Sequence, residues 1–143
     1  MPNTSSNVIL YATKEARYPV INVPTATAST TTLLITAASA GTIVTDILWR
    51  TADGAARTWD IIICATGSHA TAENARVMVS IPASSGNNGS TAIASLASLV
   101  PSLFDIDLAG NRVIQLEAGQ SIYLKNNATS AGYNYITCKA RDY

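Results

Sequence analysis

Apolar and polar residues alternate in short runs along most of the chain. Alternation with a period of two marks strands with one face buried, and runs of four to eight bounded by turn residues set their lengths. On that basis strands are predicted at residues 7–13 (NVILYAT), 18–23 (YPVINV), 31–37 (TTLLITA), 42–50 (TIVTDILWR), 58–66 (TWDIIICAT) and 76–82 (RVMVSIP). Residues 112–119, 120–126 and 133–143 give three more, and LFDIDLAG (103–110) is read as a strand leading into a turn. Pro19 stands near the start of its strand, where a missing N–H is tolerated. In TIVTDILWR the pattern places Ile43, Ile47 and Trp49 on one face, with Thr45 between them. The DIIIC run is continuously apolar, as expected for a strand buried on both faces or lying beside a subunit contact.

Turn chemistry orders these strands. Asp53 and Gly54 centre the segment TADGAAR, a strong turn signal because glycine takes positive φ freely, so residues 42–66 read as a wide hairpin. Gly119 turns the chain between Ile114/Leu116 and Ile122/Leu124, so that 112–126 reads as a second strand pair. Ser39–Gly41 and the Gly/Asn-rich 83–90 are turns, and 24–30 (PTATAST) is a linker. A single helical signal stands out: Ile93, Leu96, Val100 and Leu103 recur at intervals of three and four. Ser90 or Thr91 is the expected cap, and Pro101 is expected to end or bend the helix. About eight to ten strands and one short helix predict an all-β fold, a sandwich or barrel. The expected division is an N-terminal arm or edge segment, 1–30, followed by a sandwich domain, 31–143.

The 143 residues include 48% hydrophobic and only 13% charged side chains, against about 25% charged in ordinary globular chains. Ser, Thr, Asn and Ala must therefore cover the surface, which suits β faces that neighbours cover in turn. Nine basic and nine acidic residues cancel, so no basic face is offered and nucleic acid is not an expected direct partner. No run approaches the roughly 18 apolar residues of a membrane span. The first ten residues lack the charged start and apolar centre of a signal peptide, and folding in a cytosol is expected. Cys64 and Cys138 sit inside apolar runs, which favours two buried thiols; a disulfide would require their strands to be neighbours.

Catalytic chemistry is hard to assemble from these residues. His69 is the sole histidine. With Glu73 four positions later it forms a pair in a polar loop, and the expected role is a solvated side chain. No Gly-x-Ser-x-Gly elbow accompanies it. Asp105 and Asp107 would share a strand face roughly 7 Å apart, a weak carboxylate pair whose expected role is a solvated edge or the capping of a turn. No catalytic residue, cofactor or metal is expected. The aromatic residues are better candidates, for interfaces: Tyr11, Tyr18, Trp49, Trp59, Tyr123, Tyr133, Tyr135 and Tyr143, with Lys125 beside Tyr123. Tyr133 and Tyr135 should share a face opposite Ile136 and Cys138. For Trp49 and Trp59 the alternative is the core, which burial trends favour.

The string VIQLEAGQSIYL (113–124) resembles a strand pair of jelly-roll and related β-sandwich domains. WRTADGAARTWDIIICAT (49–66) resembles the paired strands of small jelly-roll proteins on tailed-bacteriophage virions. The family resembled is the capsid decoration, or cement, proteins of such phages, over residue 31 to the C-terminus. The resemblance implies a jelly-roll-like antiparallel sandwich on the capsid exterior, with the major capsid protein as partner. It implies self-association as a dimer or trimer and no catalytic residues. A different expectation is a carbohydrate- or receptor-binding module, which requires Trp49 and Trp59 to be exposed around a concave site. A third is a small hydrolase, which requires a pocket joining His69 or Asp105/Asp107 to an oxyanion donor.

Overall fold

A computed structural model describes residues 16–23, 28–71, 74–83 and 94–143. The expected strand at 7–13, Tyr11, Glu73 and most of the 83–90 turn lie outside the described residues. The strands are β1 (Ala16–Arg17), β2 (Val20–Val23), β3 (Thr31–Thr36), β4 (Thr42–Thr51), β5 (Arg57–Ala65), β6 (Ala75–Ile81), β7 (Ala94–Ser95), β8 (Asp105–Ile106), β9 (Arg112–Leu116), β10 (Gln120–Asn126) and β11 (Asn134–Asp142). Among the described residues there are also one helical turn, α1 (Leu96–Leu99), and a 3-10 turn (Pro101–Leu103). No helix among the described residues is long and apolar enough to cross a membrane.

Every pairing is antiparallel, and the strands form two sheets. In sheet A, β11 pairs with β1 and β2 on one side and with β4 on the other, and β4 pairs in turn with β9. Sheet B has the order β3-β10-β5-β6. The chain changes sheet at β2 to β3, β3 to β4, β4 to β5, β6 to β7, β9 to β10 and β10 to β11. Eight strands ordered 2-11-4-9 and 3-10-5-6 are a jelly roll. The segment 16–23 is thus an edge rank of sheet A, broken at Pro19, whose carbonyl accepts the Cys138 N–H at 3.0 Å.

Both expected hairpins are corrected by this topology. β4 lies in sheet A and β5 in sheet B, so the Asp53-Gly54 loop arches between sheets. β9 and β10 are likewise not hydrogen-bonded to each other, and Gly119 (φ +82°) carries the chain across the sandwich. Alternation gives each strand a buried face but does not say which sheet buries it. A bulge changes one face assignment as well. Lys139 is opposite Asp46 and Ala140 opposite Val44, leaving Thr45 as an extra residue on β4. An extra residue reverses which side chains point inward. Val44, Ile47 and Trp49 therefore enter the core, and Ile43 faces outward with Thr45.

The freed Asp46 carboxylate anchors the helical turn. It accepts the Ile47 and Ala97 N–H groups at 2.8 and 3.1 Å and the Ser95 hydroxyl at 2.7 Å. The helix is shorter than its periodicity predicted because Ala94 and Ser95 are drawn into sheet A against Trp49 and Leu48. Pro101 stops it as expected. The apolar DIIIC run is buried on both faces by the protein itself. Ile61 and Ile63 face the core, and Ile62 and Cys64 join Tyr123 in a small outer cluster.

Trp49 from sheet A and Trp59 from sheet B meet edge to face in the core, with centroids 4.9 Å apart at 64°. Such a contact adds about 0.5–1.5 kcal/mol beyond area burial. The two indoles differ in one respect. Trp49 Nε1 donates to buried Asn134 Oδ1 at 3.0 Å, whereas Trp59 Nε1 has no acceptor. Leaving a buried acceptor unsatisfied costs about 1–3 kcal/mol. Trp49→Phe is therefore expected to destabilise the protein by about 1–2 kcal/mol more than Trp59→Phe in urea titrations. Equal losses would refute this account.

Candidate interaction face

Opposite residues in an antiparallel ladder share a face. Val20 is opposite Thr137 and Tyr135 is opposite Arg50, all on the outside of sheet A. Tyr18, two residues before Val20, and Tyr133, two before Tyr135, extend this side. The exposures are large for such side chains: Tyr18 60%, Val20 61%, Tyr133 50% and Tyr135 39%. The Tyr133 and Tyr135 rings lie nearly parallel, with centroids 6.3 Å apart. The Arg50 guanidinium carbon sits 5.7 Å from the Tyr135 centroid, within reach of a cation–π attraction. Beneath them Ile21, Ile136 and Cys138 are in or against the core, so these rings stand on a fixed floor. An apolar, aromatic strip with one arginine has the composition of a protein interface centre.

The remaining aromatic candidates lie elsewhere. Trp49 and Trp59 are core residues, so as interface candidates they are corrected, and the sugar-stacking platform expected of them does not form. Tyr123 is also buried. Its hydroxyl accepts the Gly67 N–H at 2.7 Å, and the His69 ring packs over it at 4.8 Å. The polar loop after β5 has folded onto the outside of sheet B, which simple alternation could not show. Lys125 is half-buried on that same side, opposite Asp60 and Thr31, away from the tyrosine strip. Tyr143 is half-buried at the far end of sheet A, against Gly41 (φ +104°). Val20 and Arg50 were missed. The period of two from Tyr18 would have found Val20; Arg50 becomes visible only once β4 is known to neighbour β11.

The groups weighed for catalysis are dispersed. His69 sits on the outside of sheet B, while Asp105 and Asp107 belong to the β8–β9 hairpin of sheet A. Asp107 caps its own turn. Oδ1 accepts the Ala109 and Asn111 N–H groups at 2.9 and 2.8 Å, and Oδ2 accepts from Asn111 Nδ2 at 3.3 Å. These bonds, led by the Asn111 backbone, hold its carboxyl below the usual range. Cys64 and Cys138 are both free and buried. They lie in different sheets. Burial pushes the Cys64 thiol up and the Cys138 thiol up to about 12, so both are protonated and unreactive at neutral pH. Among the described residues no three His, Cys, Asp or Glu side chains gather as metal ligands.

Compared with known proteins, the chain matches no family model and no curated sequence.

Proposed function

We propose that the protein is a virion structural module, a decoration protein that binds the outside of a phage capsid at capsomer junctions and braces the shell. The observation that carries this reading is the strip of Tyr18, Val20, Tyr133 and Tyr135 on the outside of sheet A. Exposed aromatic side chains on a sheet face gain most when another protein surface covers them. The jelly roll supplies the scaffold; the reading rests on the face, since one fold serves many functions. A specific interface buries about 1,200–2,000 Å² in total. Ligands that bind only the assembled shell stabilise it by mass action. The major capsid protein is the proposed partner, with the module self-associating as a dimer or trimer on the capsid exterior.

Light scattering should give a defined dimer or trimer. Co-sedimentation with empty tailed-phage shells should show many bound copies and a raised shell melting temperature. The double substitution Tyr18→Ser and Tyr135→Ser should weaken shell binding tenfold or more while leaving the melting of the free protein nearly unchanged, because both rings are exposed. A monomer that stays in the supernatant sinks the proposal. A double variant that binds as the parent does sinks the assignment of the face.

A further inference from the structure

At the opposite end of the same sheet the bulge in β4 has a second effect. It turns Ile43 and Thr45 outward, where with Val113 they floor a groove of about 850 Å³. One wall is the β8–β9 turn, fixed by Asp107; the other is the end of β11, with Arg141 and Tyr143. Arg112 and Arg141 stand on the lining, and both residues are exposed. The volume lies within the roughly 300–1,000 Å³ typical of ligand sites.

The charged groups left available in this groove are the two guanidiniums; Asn111 Oδ1 and the Tyr143 hydroxyl add neutral polar atoms. Asp107 spends both oxygens on its own turn. The Thr45 hydroxyl donates to the Lys139 carbonyl at 3.3 Å. Asp142, next to Arg141 in sequence, is committed to Arg17 at 2.8 Å. The ion pairs among the described residues are Arg17–Asp142 and Arg57–Asp53, and neither groove arginine belongs to one. Two guanidiniums with vacant forks select carboxylates. The Ile43/Val113 floor selects a chain that also carries alkyl side chains.

We infer that this groove binds an extended acidic peptide segment of a partner protein, with a carboxylate on each arginine and an apolar side chain on Ile43 and Val113. Nucleic acid fits less well, because the net charge is zero and the alkyl floor offers nothing to a phosphate backbone. A sulfated glycan fits the arginines but not the alkyl floor. This inference is independent of the shell reading.

The test uses a fluorescein-labelled heptapeptide of alternating aspartate and leucine. Its controls are the matching asparagine–leucine peptide and a heparin hexasaccharide. Polarisation gives affinity, and amide chemical shifts give location. The acidic peptide should bind, and its shifts should be confined to residues 43–45, 107–113 and 141–143. Arg112→Gln with Arg141→Gln should weaken it at least tenfold, and both residues are exposed, so the fold should tolerate the change. Equal binding of the asparagine peptide overturns the charge argument. Heparin shifting the groove where the peptide does not makes the ligand a glycan. Shifts that grow with protein concentration alone make it a second copy. No response to any probe overturns the site.

Discussion

Replacing Gly132 by alanine should be among the most damaging single changes in this protein. A Cβ at position 132 would lie 2.5 Å from the Ala52 carbonyl carbon, 2.6 Å from its oxygen and 2.6 Å from the Asp53 nitrogen. All three are backbone atoms of the β4–β5 arch, so no flexible side chain can move aside. The Gly132 carbonyl also accepts the Ser130 hydroxyl at 3.0 Å and Asn134 Nδ2 at 3.2 Å. Asn134 in turn holds Trp49. Displacing the loop therefore reaches the centre of the core in two steps. Overpacking usually costs about 1–3 kcal/mol, and contact with backbone on the far side puts this case at the top of that range. A loss of about 3 kcal/mol would lower Tm by roughly 10 °C. Gly54→Ala in the same arch is the control, since nothing lies within 4 Å of its Cβ position; it should change stability by less than about 0.5 kcal/mol. A Gly132→Ala variant melting within two or three degrees of the parent would show that the two loops separate freely.

Asp53→Ala should cost about as much, through charge rather than volume. The Asp53 residue is buried. Its Oδ2 accepts Arg57 Nε at 2.8 Å and the Ala131 N–H at 3.0 Å; its Oδ1 accepts the Ala55 N–H at 3.0 Å and a second Arg57 nitrogen at 3.3 Å. One carboxylate thus joins the β4–β5 arch to the β10–β11 loop. Removing one partner of a buried pair costs about 3–5 kcal/mol, and the Arg57 side chain retains some solvent, so the lower end applies. The same site shapes the acid limb. Burial raises the Asp53 pKa, but the bonds from Arg57, Ala131 and Ala55 outweigh it and leave the carboxyl below its ordinary value of 3.8. A lowered folded pKa means that the unfolded chain takes up the proton first. The stabilisation is complete above the unfolded value near 4 and is lost as pH falls through the folded one. Melts between pH 7 and pH 2 should show the parent losing stability below about pH 4 and Asp53→Asn, weaker at neutral pH, losing less over the same interval. Parallel curves would remove Asp53 from the account.

The strands were legible because burial on one side leaves a period of two, and β3, β5, β10 and β11 appear close to their predicted bounds. Their partners were not. Asp53-Gly54 reads as a hairpin signal because a turn and an arch need similar backbone freedom, and only the long-range pairing of β11 with β4 separates the two. The exposed tyrosines at 18, 133 and 135 were recognisable from alternation. Tyr123 was not, since its outward position is covered by a loop that brings Gly67 and His69 from another strand's end. Trp49 and Trp59 followed their burial tendency. The outward turn of Ile43, on which the groove depends, came from a bulge that no local residue preference announces.

The place of β11 also sets an order of events in time. It is an inner strand of sheet A, with β4 on one side and β1 and β2 on the other. Arg17 and Asp142, joined directly, are 125 positions apart in the chain. Among the described strands, sheet B is complete once residue 126 has been made, whereas β1 and β2 have no partner in sheet A until residues 134–142 exist. During synthesis the first strands must therefore wait, apolar faces uncovered, for the last one. Contacts this distant in sequence slow folding and lengthen exposure to aggregation. Yield during expression should accordingly depend on temperature and chaperone supply more than the stability of the finished sandwich would suggest.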